Sequence, residues 1–126
     1  MTNPSTIDPR RLERLRRLCL DLPEATEKQA WGDPTWRVRD RIFAMQKGNH
    51  EAGRPSVWCK APDGAQAGLV AANPERLFVP PYVGPKGWIG ISLDGEQLDW
   101  EEVEDHVEQS YRLIAPKRLV ARLDDP

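Results

Sequence analysis

Apolar positions change their period twice along this chain, and the changes divide it into helical and extended stretches. Leu12, Leu15, Leu18, Cys19 and Leu22 recur at intervals of three and four, which places them on one helical face. Asp8 followed by Pro9 predicts the start of that helix, as N-cap and first helical residue, and Leu22-Pro23 predicts its end near residue 21. Arg10, Arg11, Arg14, Arg16 and Arg17 crowd the other face.

From Thr26 to Lys60 the period falls to two, with turn signals at Gly32-Asp33-Pro34 and Asp40. This pattern predicts strands near 27–31, 35–39, 41–46 and 55–60, with residues 47–54 (KGNHEAGR) as a polar hairpin loop. Asp63 is placed to cap a short helix through Ala65, Leu69, Val70 and Ala72, ended by Asn73-Pro74. Leu77–Val79 and Trp88–Leu93 predict two further strands, and the three prolines of the loop between them exclude a central strand there.

Asp99 with Glu102 makes a capping-box-like pair, and Leu98 against Val103 a hydrophobic staple. Val103, Val107, Tyr111 and Ile114 continue that helix, and residues 117–123 form a last amphipathic turn after Pro116. The fold class that follows is α+β: a two-layer sandwich with an antiparallel sheet of five or six strands and helices packed on one face. One domain is expected over residues 1–126, with an ordered core at about 8–123 and polar ends that fray.

Composition narrows the class without changing the fold. Hydrophobic residues are 39% and charged residues 30%, which excludes disordered and membrane chains. No apolar run approaches the roughly 20 residues of a membrane span, and no secretory signal opens the chain, so a cytoplasmic protein is expected. Cys19 and Cys59 each fall within an apolar pattern, as small buried hydrophobes do. The net charge of −2 conceals an asymmetry: residues 1–93 hold 14 Lys+Arg against 10 Asp+Glu, and residues 94–126 hold 4 against 10. A basic surface outside the last helices is therefore compatible with the overall acidity.

Strand alternation supplies the candidate chemistry. Trp36 and Val38 share one face while Thr35, Arg37 and Arg39 share the other; Val57 and Cys59 oppose Trp58 and Lys60; Ile89 and Ile91 oppose Trp88. With the aliphatic sides against the helices, the outer face presents Arg37, Arg39, Trp58, Lys60 and Trp88. Cations beside exposed rings suit a single-stranded nucleic acid, whose bases stack on aromatics at about 1–3 kcal/mol each. They also suit another anionic planar ligand, and the bland alternative is tryptophans that cover the sheet beneath long basic stems.

Three other features admit both a binding and a structural reading. The arginine face of the first helix can track phosphates or simply be solvated, and no helix-turn-helix or zinc finger accompanies it. Gly84-Pro85-Lys86-Gly87-Trp88 can hold an anion on its backbone amides or be a turn, and it lacks the spacing of a phosphate-binding P-loop. His50 in a polar loop, His106 on an acidic helix and the carboxylates of residues 99–108 form neither a metal cluster nor a catalytic pair. No catalytic residue, metal or cofactor is assigned, and a protein that is not an enzyme is expected.

Three stretches together resemble the MmcQ/YjbR family: Leu22-Pro23-Glu24-Ala25-Thr26-Glu27 leading to Ala30-Trp31-Gly32-Asp33-Pro34-Thr35-Trp36-Arg37-Val38; Val83-Gly84-Pro85-Lys86-Gly87-Trp88-Ile89; and Ser110-Tyr111-Arg112-Leu113-Ile114-Ala115-Pro116-Lys117-Arg118. The resemblance implies a small bacterial α+β protein with a frataxin-like or secretion-chaperone-like sheet, and it carries the family label of a DNA-binding protein. In that pattern Trp31 and Trp36 anchor the Gly-Asp-Pro turn, and Ser110 and Tyr111 stand on the inward or flanking side of the last long helix. Lys117 and Arg118 are placed either to hold an anion or to complement the helix C-terminal dipole.

The function expected is that of a non-catalytic nucleic-acid-binding accessory protein using Arg37, Lys60, Trp88, Lys117 and Arg118, with Arg39, Trp58 and Lys86 as further contacts. The partners expected are DNA or another nucleic acid, or a protein, and no membrane. A protein-interaction module and a binder of small anionic ligands are the alternatives.

Overall fold

The computed structural model describes residues 7–50 and 54–125, and expectations about residues 1–6, 51–53 and 126 lie outside them. The first helix, α1 (Pro9–Leu20), starts where local chemistry directs: the Asp8 carboxylate accepts from the Arg10 amide at 2.8 Å, and Pro9 occupies the first turn. Six strands follow, β1 (Thr26–Ala30), β2 (Asp33–Val38), β3 (Arg41–His50), β4 (Arg54–Lys60), β5 (Leu77–Phe78) and β6 (Trp88–Ser92). Between them lie α2 (Gln66–Ala72) and a short 3-10 turn at Gly84–Lys86; α3 (Trp100–Ile114) and α4 (Lys117–Asp124) close the chain.

All pairings are antiparallel, in the order β1-β2-β3-β4-β6-β5. The architecture is the expected α+β sandwich. Register settles the faces: Trp36 lies opposite Ala44, Ala44 opposite Cys59 and Cys59 opposite Ile89, while Met45 lies opposite Trp58 and Trp58 opposite Gly90. Helices α1 and α3 cover the first set. There Leu15, Cys19, Val103, Val107 and Tyr111 join Trp36, Val57, Ile89 and Ile91 in one core.

Most polar groups on this inner face are paired, as burial demands; the exception among the described residues is Gln46 Nε2, opposite Val57, which is buried without a hydrogen-bond partner. The Ser110 hydroxyl donates to the Phe43 carbonyl at 2.7 Å and accepts from the Lys60 amide at 2.9 Å, tying α3 to β3 and β4. Trp36 Nε1 donates to Glu27 Oε1 at 2.9 Å, and Arg16 Nε reaches the same oxygen at 2.7 Å. Tyr111 donates to the Pro23 carbonyl at 2.6 Å and meets Phe43 edge-on, with ring centroids 5.3 Å apart. Ser110 and Tyr111 thus stand inward, as the family pattern implies.

The structure departs from expectation at two places. Asp63 does not cap α2, whose N-cap is Ala65, because Gly64 in a left-handed conformation turns the chain before the helix begins. Strand β3 runs to His50, so Lys47 belongs to the ladder opposite Ser56 and His50 ends a strand. Polar residues pair there because ladder hydrogen bonds come from the backbone, whatever the side chain. Ile7 is buried, and Arg112 holds Asp124 through bonds of 2.8 and 3.2 Å.

Asp99 does cap α3, accepting from the amides of Glu101 and Glu102. No helix among the described residues is long and apolar enough to cross a membrane.

Candidate functional site

The outer face of the sheet is where the sequence places its cations and rings; one cleft lies on it, and a second lies beside it at the end of the sheet, where α3 also contributes. The first has a volume of about 450 Å3 and is lined by Trp31, Met45, Lys47, Trp58, Tyr82 and Val83. Met45 and Trp58 form its floor as a cross-strand pair. Trp31 and Tyr82 are its rims, 76% and 82% exposed.

Both rims sit on unusual backbone. Trp31 and Gly32, at φ 54° and 82°, are the central residues of the two-residue hairpin between β1 and β2. Such a hairpin requires positive φ at both positions and favours Asn-Gly, so a bulky ring at the first is an outlier. Tyr82, at φ 65°, is the middle of a three-residue turn closed by Val83 N donating to the Pro81 carbonyl at 2.7 Å, a rare and strained form. Strain of this kind, of order 1–3 kcal/mol per residue, clusters at ligand clamps.

Lys47 lies against the rings of Trp31 and Trp58. Its ammonium is 5.0 Å from the Trp31 ring centroid and 5.7 Å from that of Trp58, and Asp33 stands 3.7 Å away. The charge is mostly buried and is held by two π-faces and one carboxylate.

The second cleft, about 220 Å3, is lined by Arg41, Ile42, Lys60, Lys86, Trp88 and Ile114. Lys60 and Trp88 face each other across β4 and β6, Arg41 opens β3 beside the end of β4, and Lys86 comes from the 3-10 turn. Among the described residues no carboxylate comes within 4 Å of Arg41, Lys60 or Lys86. Arg41 donates weakly to the Ile114 carbonyl at 3.5 Å. Three positive charges therefore converge without a fixed counter-ion among these residues.

The two clefts share a strand and a loop. Trp58 and Lys60 are two positions apart on one face of β4, about 7 Å along the strand. The segment that supplies Tyr82 and Val83 to one cleft supplies Lys86 to the other. Gln66 of α2 pins that segment, its amide nitrogen donating to the Gly84 carbonyl at 2.8 Å and the Trp88 carbonyl at 2.6 Å.

Against this geometry the expected site residues separate into groups. Lys60, Lys86 and Trp88 come together. Trp58 and Trp88 lie on the face that alternation assigns to them, but they are buried, at 2% and 8% exposure, so the exposed stacking platform expected of them is corrected. Met45, Lys47 and the Tyr82 segment crowd Trp58, and the indole of Trp58 donates to Ser56 Oγ at 3.0 Å. Trp31, expected to anchor its turn, is instead an exposed rim.

Arg37 also lies on this face, but its guanidinium is engaged by Thr35 Oγ1 at 3.2 Å and Asp40 at 3.4 Å. Arg39 pairs with both oxygens of Glu24, whose carboxyl the hydrogen-bonded guanidinium holds below its ordinary range. Lys117 and Arg118 are exposed on α4 and line neither cleft.

Arg41, Lys47, Met45 and Tyr82 escape the sequence pattern. Arg41 is legible in principle, since an antiparallel hairpin brings the start of β3 beside the end of β4, where Lys60 stands. Lys47 is hidden in a polar stretch that reads as a loop. Tyr82 carries no periodic signal.

Other chemistry is sparse among the described residues. No group of three or more His, Cys, Asp or Glu is placed to hold a metal. Cys19 and Cys59 are free and buried; burial pushes the Cys59 thiol up to about 12 and the Cys19 thiol well above its ordinary value, so neither is a thiolate near neutrality.

A family model described as YjbR matches residues 20–113. No curated protein matches the chain. Among solved structures, the crystal structure of Deinococcus radiodurans protein DR2400, with a DUF419 domain, is similar at a TM-score of 0.71 and 19% identity, covering 100% of this chain and 94% of that one. At that identity the likeness is one of fold.

Proposed function

The chain belongs to the YjbR family, and from that premise we propose that it is a non-catalytic nucleic-acid-binding accessory protein of the cytoplasm, which takes phosphates at the end of its sheet, beside the outer face. One observation carries this reading: Arg41, Lys60 and Lys86 converge beside Trp88 with no carboxylate among the described residues to neutralise them. Uncompensated cations attract phosphates and release counter-ions on contact. Two free, buried thiols accord with a reducing compartment.

Relative to the set expected from strand alternation, the contacts shift. Lys60, Lys86 and Trp88 stay, Arg41 joins them, and Arg37 and Arg39 recede because carboxylates already hold them. Lys117 and Arg118 remain as flanking contacts of a longer strand.

Fluorescence anisotropy with labelled DNA at low and moderate salt tests the reading. Binding should weaken as salt rises, and the combined variant Arg41→Gln, Lys60→Gln, Lys86→Gln should flatten the slope of log K against log salt by about 2 to 3, at roughly 0.7–0.9 for each phosphate that the protein no longer neutralises. Absence of binding at micromolar protein in low salt removes the reading.

A second reading, docking of a protein strand, draws on β1, which among the described residues pairs with β2 alone and leaves its other edge open, with Thr26, Lys28 and Gln29 exposed. Pull-down from lysate with and without nuclease separates the two. A partner that survives nuclease treatment favours docking.

A further inference from the structure

We propose that the cleft between Trp31 and Tyr82 is a stacking pocket for a single unpaired nucleobase, so that the protein prefers single strands or frayed ends to intact duplex. This deepens the phosphate reading above and rests on it.

The shape of the pocket selects a flat guest. Two exposed rings stand over a floor of Met45 and Trp58, and the volume of about 450 Å3 lies within the range of small-molecule pockets. The walls are apolar with one polar anchor, which suits stacking of a planar ring on aromatic faces.

The charge of the pocket excludes the other common guest of an aromatic cage. Such cages recognise quaternary or methylated ammonium groups through cation–π attraction. Here the Lys47 ammonium already stands 5.0 and 5.7 Å from the ring centroids of Trp31 and Trp58. A second cation would meet a like charge at close range. A ring bearing carbonyl or ring-nitrogen acceptors instead gains a donor, because Lys47 has three protons to give and Asp33 engages it only loosely, at 3.7 Å.

The surroundings of the pocket supply the rest of the ligand. Arg41, Lys60 and Lys86 lie in the adjoining cleft, where Lys60 stands two residues along β4 from Trp58. A base in the first cleft and its phosphate in the second fit one nucleotide unit. In a duplex the base is stacked and paired, and only extrusion would bring it to the pocket.

The backbone points the same way. Trp31 and Tyr82 both hold positive φ while leaving most of their rings exposed, and strained positions of this kind cluster at ligand clamps.

Anisotropy on the whole chain tests this with two probes, an oligothymidylate and a blunt duplex of equal length, at one salt concentration. The single strand should bind more tightly. Trp31→Ala and Tyr82→Ala should each weaken the single strand by about 5- to 150-fold while leaving duplex binding unchanged, the range to which the loss of one stacked base corresponds. Both rings are largely exposed, so both variants keep the fold, which circular dichroism checks.

If both variants bind the single strand as wild type does, or if wild type binds duplex as tightly as single strand, the pocket is not a base site and the phosphate reading stands alone. If wild type binds neither probe, both readings fall together.

Discussion

The two faces of the sheet are built on the same strands and to opposite rules. On the helix-covered face, aliphatic residues interdigitate and the polar groups of Ser110, Tyr111, Trp36 and Glu27 are satisfied by named partners. On the other, rings stand at strained turns, a loop with three prolines forms a wall, and at the end of the sheet three cations converge without a carboxylate among the described residues. The first face is packed chiefly for stability, with Gln46 Nε2 as its one unsatisfied buried amide among the described residues. The second keeps backbone strain that costs stability, and such strain marks a surface kept for a ligand.

If the comparison holds, substitutions should separate by face. Trp36→Ala should have the largest effect, about 3–5 kcal/mol in chemical denaturation, because the ring is fully buried and the Glu27 carboxylate would lose its indole donor. A loss below about 1 kcal/mol would mean that the helix-covered face is looser than its packing indicates.

Gly90→Ala should follow, at about 1–3 kcal/mol. A Cβ on Gly90 would lie within 2.7 Å of three Phe78 ring atoms, so Phe78 would have to leave its place against the outer face. Measuring urea midpoints at an unchanged m-value would show whether this part of the outer face is as tightly packed as the inner one.

Trp31→Asn should change least, staying within about 1 kcal/mol of wild type. Asparagine tolerates the left-handed turn better, and that gain offsets the missing cation–π attraction to Lys47. A large destabilisation would place Trp31 among the structural residues and erase the contrast between the faces.

Legibility in the sequence follows the same division. The helix-covered face is readable because burial imposes period: Leu15 with Cys19, Val103 with Val107, and Val57 with Cys59 alternate as helix and strand geometry require. Alternation also assigns Trp58, Lys60 and Trp88 to the outer face correctly. It cannot reveal their exposure, which depends on a loop that folds back over the sheet.

The outer clefts are opaque for a related reason. Lys47 reads as a loop residue because a polar stretch looks alike in a turn and in a ladder whose bonds are all backbone. Tyr82 sits in a segment without period, and Arg41 acquires its meaning only when the chain reverses and brings it beside Lys60. Sites assembled from turns leave little periodic trace.

The glutamine of α2 has a consequence for how such a surface would work. Because one Gln66 amide holds both the Gly84 and Trp88 carbonyls, and the Ala61 amide holds that of Gly87, the segment bearing Tyr82 and Lys86 is fastened both to α2 and to the end of β4. That segment walls both clefts, so a ligand spanning them meets a surface whose freedom was surrendered during folding. Part of the entropy of capture is thus settled before the ligand arrives, and the Gln66 rivet becomes a determinant of affinity that touches no ligand atom.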